Sequence, residues 1–267
     1  MRYQSVNLHS HSTASDGQKT PRQIEAFARE RGIIVAITDH NTVAAHEEID
    51  SPHILAGVEV RAGSAGIEVL VYGERTALLH FFRDAVEPYL REENPCYAPI
   101  RRSIMDVMHD AYQCGLYVIL PHYAAIAGIG MLEERDQRRI AQWPVFVELN
   151  GQLSAKRNAK ARAFAEAMGL PIIAADDTHW GDYSRTLTHI LLPTDTAPTV
   201  KNLVHGVREY AHHCRLDIQE PTVQQSFRTA RQIQRSIGSN TMLVNATAKT
   251  FFFVKTALRP ELRAVRY

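Results

Sequence analysis

Short apolar runs alternate along this chain with segments in which apolar residues recur at helical spacing. Residues 3–8 read as a strand. Thr20-Pro21-Arg22-Gln23 then starts a helix, with Thr20 as the cap, Pro21 at the first helical position and Gln23 completing a capping box. Ile24, Phe27 and Ala28 form its apolar stripe, and Gly32 stops it. Residues 32–38, GIIVAIT, are continuously apolar and rich in β-branched side chains, as a buried parallel strand requires. Further strands are expected at 53–58, 67–72, 116–121, 145–149, 171–175 and 189–192, and helices at 76–91, 101–114 and 155–168. This rhythm predicts a parallel α/β architecture closed as a barrel. After about residue 195 it stops. Val200, Leu203, Val204, Val207, Ala211 and Cys214 follow a helical spacing, and two more helices are expected at 221–237 and 241–258. The reading is therefore a barrel domain over 1–195 and a C-terminal helical extension over 196–267.

The polar residues fall in a pattern on that frame. His9 and His11, in NLHSHSTASDG with Asp16, follow the first strand; Asp39 and His40, in ITDHNT, follow the second. Glu59, in AGVEV, His122, in ILPHY, and Asp177 and His179, in AADDTH, also stand at strand C-terminal ends. In a parallel barrel those ends lie on one face, so segments far apart in sequence are expected to share one mouth. Imidazole and carboxylate donors without any cysteine suit Mn, Zn or Fe. The donors outnumber the needs of one tetrahedral ion, and Glu59 can bridge two, which points to two or three divalent ions. Clustered ions generate hydroxide from water near neutral pH and stabilise attacking and leaving oxygens, a clamp from which phosphate-ester hydrolysis gains most.

Composition narrows the partners. Thirty basic and 29 acidic side chains give a formal net charge of +1, which offers no broad nucleic-acid or membrane surface. The three cysteines are widely separated and form no disulfide framework, and MRYQSVNLHSHS has no apolar signal core, so a cytoplasmic location is expected. The late apolar stretch at 241–258 is interrupted by Asn245, Lys249 and Lys255 and is too polar for a membrane span.

The set HSHSTASDG, ITDH, GVEV, PH and ADDTH resembles the PHP family, named for polymerase and histidinol phosphatase domains, over residues 3–195. The resemblance implies a distorted (β/α)7 TIM-like barrel with a trinuclear metal site and phosphoesterase activity. Carried over by position, it implies one metal on His9, His11, Glu59 and Asp177, a second sharing Glu59 and taking His122, and a third on Asp16, His40 and His179. The phrase IEVLVYG carries Glu68 where the family often has a histidine. Glu68 either ligates as an oxygen donor, favouring a harder ion such as Mn²⁺, or leaves the second metal weakly bound. PHY also departs from relatives that have a Pro after the His. Glu148 and Asn150, in FVELNG, and Asp39 are expected to support ligands rather than to be ligands.

Other histidines read as structural: His80 and His205 as hydrogen-bonded residues, His46 and His53 as surface residues, His212 and His213 on a solvated helix face. Among the basic residues Arg101, Arg102, Lys156, Arg157 and Arg185, Arg157 and Arg185 are the first candidates to bind a substrate phosphate, because they flank the late motifs. The reading is a metal-dependent phosphoesterase acting on a small phosphorylated metabolite or nucleotide. A metal-bridging hydroxide attacks phosphorus, with Asp177, His40 and His179 in the catalytic group. Long nucleic acid and membrane are disfavoured as partners, and a homo-oligomer is compatible with the pattern. The alternatives are a carbon–nitrogen or lactone hydrolase on the same metals, or a metal-binding module without catalysis.

Overall fold

The computed structural model describes residues 1–219. The helices expected at 221–237 and 241–258 lie outside the described residues. One nine-stranded sheet is built from β1 (Arg2–Asn7), β2 (Ile34–Ile37), β3 (Ile54–Ala62), β4 (Ile67–Gly73), β5 (Tyr117–Leu120), β6 (Phe146–Asn150), β7 (Ile172–Ala175), β8 (Thr186–Leu192) and β9 (Arg215–Ile218), in the order β7-β6-β5-β4-β3-β2-β1-β8-β9. It curls into a nearly closed barrel. A side chain bridges the seam: Thr188 Oγ1 of β8 accepts the Ala174 N–H and donates to the Ala174 carbonyl of β7, each at 2.8 Å, and the Thr186 hydroxyl donates to Asp176 just beyond.

The barrel is mixed rather than parallel. β1–β2, β2–β3, β5–β6 and β6–β7 are parallel, whereas β4 runs antiparallel to both neighbours and β8 antiparallel to β1 and β9. The reason for β4 is local. Residues 63–66 join it to β3 with Gly63 and Gly66 at φ 71° and 62°, a hairpin connection too short for a parallel crossover. The antiparallel direction brings the start of β4, and with it Glu68, to the mouth formed by the end of β3.

Helix α1 (Pro21–Arg31) has the expected ends. Thr20 Oγ1 accepts the Gln23 N–H, the Gln23 side chain returns to Thr20 N–H, and Gly32 closes the helix at φ 63°. Two short helices that the spacing did not single out, α2 (Ala44–Glu48) and α5 (Glu134–Ile140), lie in loops. α3 (Arg75–Phe81) unwinds into wider and then tighter turns through Tyr89 rather than continuing to residue 91. α4 (Ile104–Gln113), capped by Ser103, and α6 (Ala155–Met168) fall inside or on the expected spans. α3, α4 and α6 cover the outer face of β3–β6 with Leu78, Phe81, Val107, Met108, Ala161 and Phe164.

The expected break at residue 195 is not where the barrel body ends. Residues 200–209 form α7 (Val200–Glu209), whose Val200, Leu203 and Val207 cover the apolar lower interior of the barrel against Ile190 and Leu192. Residues 215–218, inside the span read as a helical extension, are the edge strand β9. Among the described residues no helix is long and apolar enough to cross a membrane.

Candidate metal centre

β1, β2 and β3 end at one rim, and the residues just after them turn inward. His9 and His11 alternate, so both can face the barrel axis, and both are fully buried. His9 Nδ1 lies 2.8 Å from Glu148 Oε1 of β6, which fixes that nitrogen as the N–H and turns the Nε2 lone pair to the centre. There His9 Nε2 is 3.3 Å from both Glu59 Oε2 and Asp177 Oδ1. His11 Nε2 stands 3.1 Å from Asp177 Oδ1 and 3.4 Å from Glu59 Oε2.

The loop after His11 is folded back on Asp39, which accepts the Ser12 N–H and the Ser12 and Ser15 hydroxyls. Asp16 is thereby presented to His179 Nε2 at 3.2 Å, His11 Nδ1 at 3.6 Å and His40 Nε2 at 3.9 Å. His179 Nδ1 lies 2.9 Å from the Asp177 carbonyl, leaving Nε2 for Asp16. On the other side, His122 Nε2 is 3.0 Å from Glu59 Oε1 and 3.4 Å from Glu68 Oε2, and His40 Nδ1 is 3.0 Å from Glu59 Oε2. Every nitrogen and oxygen donor expected to share a mouth therefore does so: His9, His11, Asp16, His40, Glu59, Glu68, His122, Asp177 and His179.

Three groups of donor atoms lie mutually within 4.8 Å: His9, His11, Glu59 and Asp177; His11, Asp16, His40 and His179; and His40, Glu59 and Glu68. The first matches the expected grouping. The second adds His11 to it. The third pairs Glu59 and Glu68 with His40, while His122 touches both carboxylates from the far side. The residues fit divalent ions on two counts. The donors are the nitrogen and oxygen types that such ions take. Moreover, His11 Nδ1, Glu59 Oε2 and His122 Nδ1 are buried without a hydrogen bond of good geometry, a condition that otherwise costs stability.

Electrostatics point the same way. Burial opposes charge on His40, His122 and His179, yet the surrounding carboxylates lift them to about 10, 9 and 9. For His40 the carboxylates are Glu59 and Asp16; for His122, Glu59 and Glu68; for His179, Asp16 and Asp177. Burial also opposes ionisation of Glu59, Asp16 and Asp177, but neighbouring histidines hold all three below the usual carboxylate range. Burial and the histidines His179 and His40 lower His11, and burial with Glu59 raises Glu68. The basin is thus a strong trap for positive charge. Two of its members sit in left-handed backbone, His122 at φ 30° and Asp177 at φ 50°. Such conformations cost about 1–3 kcal/mol each and persist where surrounding structure imposes them.

The proposed phosphate cations fare differently. Arg185 is buried, with its guanidinium 3.8 Å from Asp176 and donating to the Gln219 carbonyl, so it braces the β7–β8 loop. Arg157 lies in the first turn of α6, and among the described residues no ion pair joins it to the cluster. The cation at the cluster is Arg61, whose Nη1 is 3.7 Å from Glu68 Oε1 and whose buried Nε has no hydrogen bond. It stands two positions after Glu59 on the same strand face, a signal that strand alternation could have supplied. His46, expected at the surface, is buried, with Nε2 2.9 Å from the Ile37 and Gly57 carbonyls.

No protein-family model and no curated protein sequence matches the chain. Solved structures do. PsfC from Pseudomonas syringae superposes with a TM-score of 0.60 at 15% identity, over 87% of this chain and 97% of that one. A two-domain protein from Bacteroides vulgatus containing a predicted PHP-like metal-dependent phosphoesterase gives 0.52 at 16%, over 81% and 66%. The lesion-specific endonuclease PfuEndoQ from Pyrococcus furiosus gives 0.62 at 12%, over 80% and 57%. At these identities the likeness is one of fold: this chain shares its barrel architecture with these structures, one of which contains a predicted PHP-like phosphoesterase.

Proposed function

We propose that this chain is a metal-dependent hydrolase of the PHP type that cleaves small phosphate esters. The observation that carries the reading is the trio of overlapping donor groups at one barrel mouth, each with its donor atoms within 4.8 Å of one another. Divalent ions held there supply water activation at neutral pH and neutralise phosphoryl oxygens. We assign His9, His11, Glu59 and Asp177 to one ion, Asp16, His40 and His179 to another, and Glu59, Glu68 and His122 to a third, so that each imidazole serves one ion. On this reading Asp177, His40 and His179 act as donors that hold the ions. Mn, Zn and Fe all suit the donors, and the Glu68 oxygens favour Mn.

The protein's own groups do the rest. Glu148 holds the His9 tautomer and accepts the His122 N–H at 2.6 Å, so one carboxylate fixes two ligands from different strands. Arg61 offers the fork that a phosphoryl oxygen needs, at the rim beside Glu68. The near-balanced charge supports a small substrate over long nucleic acid, and the unpaired Cys96, Cys114 and Cys214 support a reducing cytoplasm. The test is phosphate release from a panel of phosphomonoesters by Mn²⁺-loaded protein, before and after chelation. Turnover that chelation abolishes supports the reading; no turnover on any ester with metal bound refutes it.

A further inference from the structure

One exposed edge of the site has a built structure that metal binding does not account for. The loop at 92–99 carries Tyr97, whose ring lies 5.4 Å from that of His40. Arg91 Nε donates to the Pro99 carbonyl at 2.8 Å, and Asn41 holds three further carbonyls of the loop. Asn41, directly after His40 and itself in left-handed backbone at φ 48°, lies with Nδ2 3.1–3.3 Å from the carbonyls of Pro95, Cys96 and Ala98. Its Oδ1 accepts the Arg61 N–H at 2.9 Å. The same buried amide therefore fixes the aromatic residue on the rim and the strand bearing the rim's cation. The half-exposed Trp180 ring lies 5.8 Å from His179, whose ring is 6.0 Å from His40.

We propose that Tyr97 is a specificity-determining residue that stacks on a planar ring of the substrate, and that the substrate is a nucleoside phosphate rather than a sugar or alkyl phosphate. This rests on the phosphoesterase reading for the fate of the phosphate, but not for the stacking. An aromatic face beside the donor basin meets a flat nucleobase over its whole area, whereas a sugar ring meets it only through C–H groups and an alkyl chain less still. To a nucleobase it offers the stacking that makes single-stranded nucleic acid binding tolerant of base identity. The phosphate end of such a ligand would meet Arg61 and the donor basin, and its base would meet the rim.

The test compares ligands that differ only in the base. AMP, ribose 5-phosphate and adenosine are titrated into Mn²⁺-loaded protein by calorimetry, for wild type, Tyr97→Phe and Tyr97→Leu; the leucine keeps apolar volume without an aromatic face. Wild type and Tyr97→Phe should bind AMP at least about tenfold more tightly than ribose 5-phosphate, and Tyr97→Leu should lose most of that preference. Adenosine should compete with AMP in wild type and not in Tyr97→Leu. Equal affinity for AMP and ribose 5-phosphate in wild type, or a preference untouched in Tyr97→Leu, overturns the proposal. AMP bound through Tyr97 while no ester of the panel releases phosphate sustains the stacking site and refutes the phosphoesterase reading.

Discussion

Glu148 Oε1 lies 2.8 Å from His9 Nδ1, with both side chains fully buried. The carboxylate sets which His9 nitrogen faces the centre. An amide there removes the charge and can present a donor to Nδ1. Glu148→Gln is expected to weaken divalent-ion binding roughly 10- to 100-fold while leaving the fold intact. Calorimetric titration of Mn²⁺ with circular dichroism as control measures this, and unchanged affinity would show that Glu148 does not orient the ligand.

Glu68 occupies the position where a histidine was the family expectation, and it touches both His122 and Arg61. If it is a donor, Glu68→Ala should lower the bound-metal stoichiometry by one ion, and Glu68→His should keep it. Inductively coupled plasma mass spectrometry on the purified variants decides. Equal metal content in wild type and Glu68→Ala would remove Glu68 from the ligand set.

The metal-free protein should have an unusual pH profile. His40, His122 and His179 bind protons more tightly folded, at about 10, 9 and 9, than at the ordinary 6.5. Their contribution to stability is complete below about pH 6.5 and is lost as pH rises through 9 to 10. Asp16, Glu59 and Asp177 are depressed, so their contribution holds above the ordinary carboxylate range and is lost in acid. The thermal midpoint after chelation should therefore peak at roughly pH 5–6 and fall toward pH 9–10. A midpoint that climbs steadily from pH 6 to 9 would contradict the charge arrangement.

Much of this was legible from the amino acids, and the exceptions have physical causes. The Thr20 cap, the Gly32 stop and the strand positions follow from local rules that the structure obeys. The convergence of His9, His11, His40 and Glu59 followed from strand ends, where side chains face a barrel axis. The antiparallel course of β4 and β8 was hidden because side-chain pattern carries no mark of strand direction, whether the strand is wholly buried as β4 is or has His189 and Leu191 partly exposed as β8 has. β9 was absorbed into the helical extension read over 196–267 because a short edge strand has too few residues for periodicity to speak. Arg185 was misjudged because its partner Asp176 is nine residues away across a loop, and Arg61 was passed over because one arginine at a strand end resembles any solvated charge.

The Thr188 hydroxyl bridges the barrel seam beside the Thr186–Asp176 hydrogen bond. Thr188→Val keeps the shape but leaves the Ala174 N–H and carbonyl without that partner, and each buried unsatisfied group costs about 1–3 kcal/mol. Urea unfolding should report a loss in that range with the metal content unchanged. A loss below about 0.5 kcal/mol would mean that the seam is held by other contacts.

Anomalous diffraction from crystals of Mn²⁺-loaded protein tests the central assignment most directly. Two or three ions are expected, one of them about 2.0–2.2 Å from the donor atoms of His9, His11, Glu59 and Asp177. Anomalous peaks only elsewhere on the surface, or none in this basin at saturating metal, would contradict it.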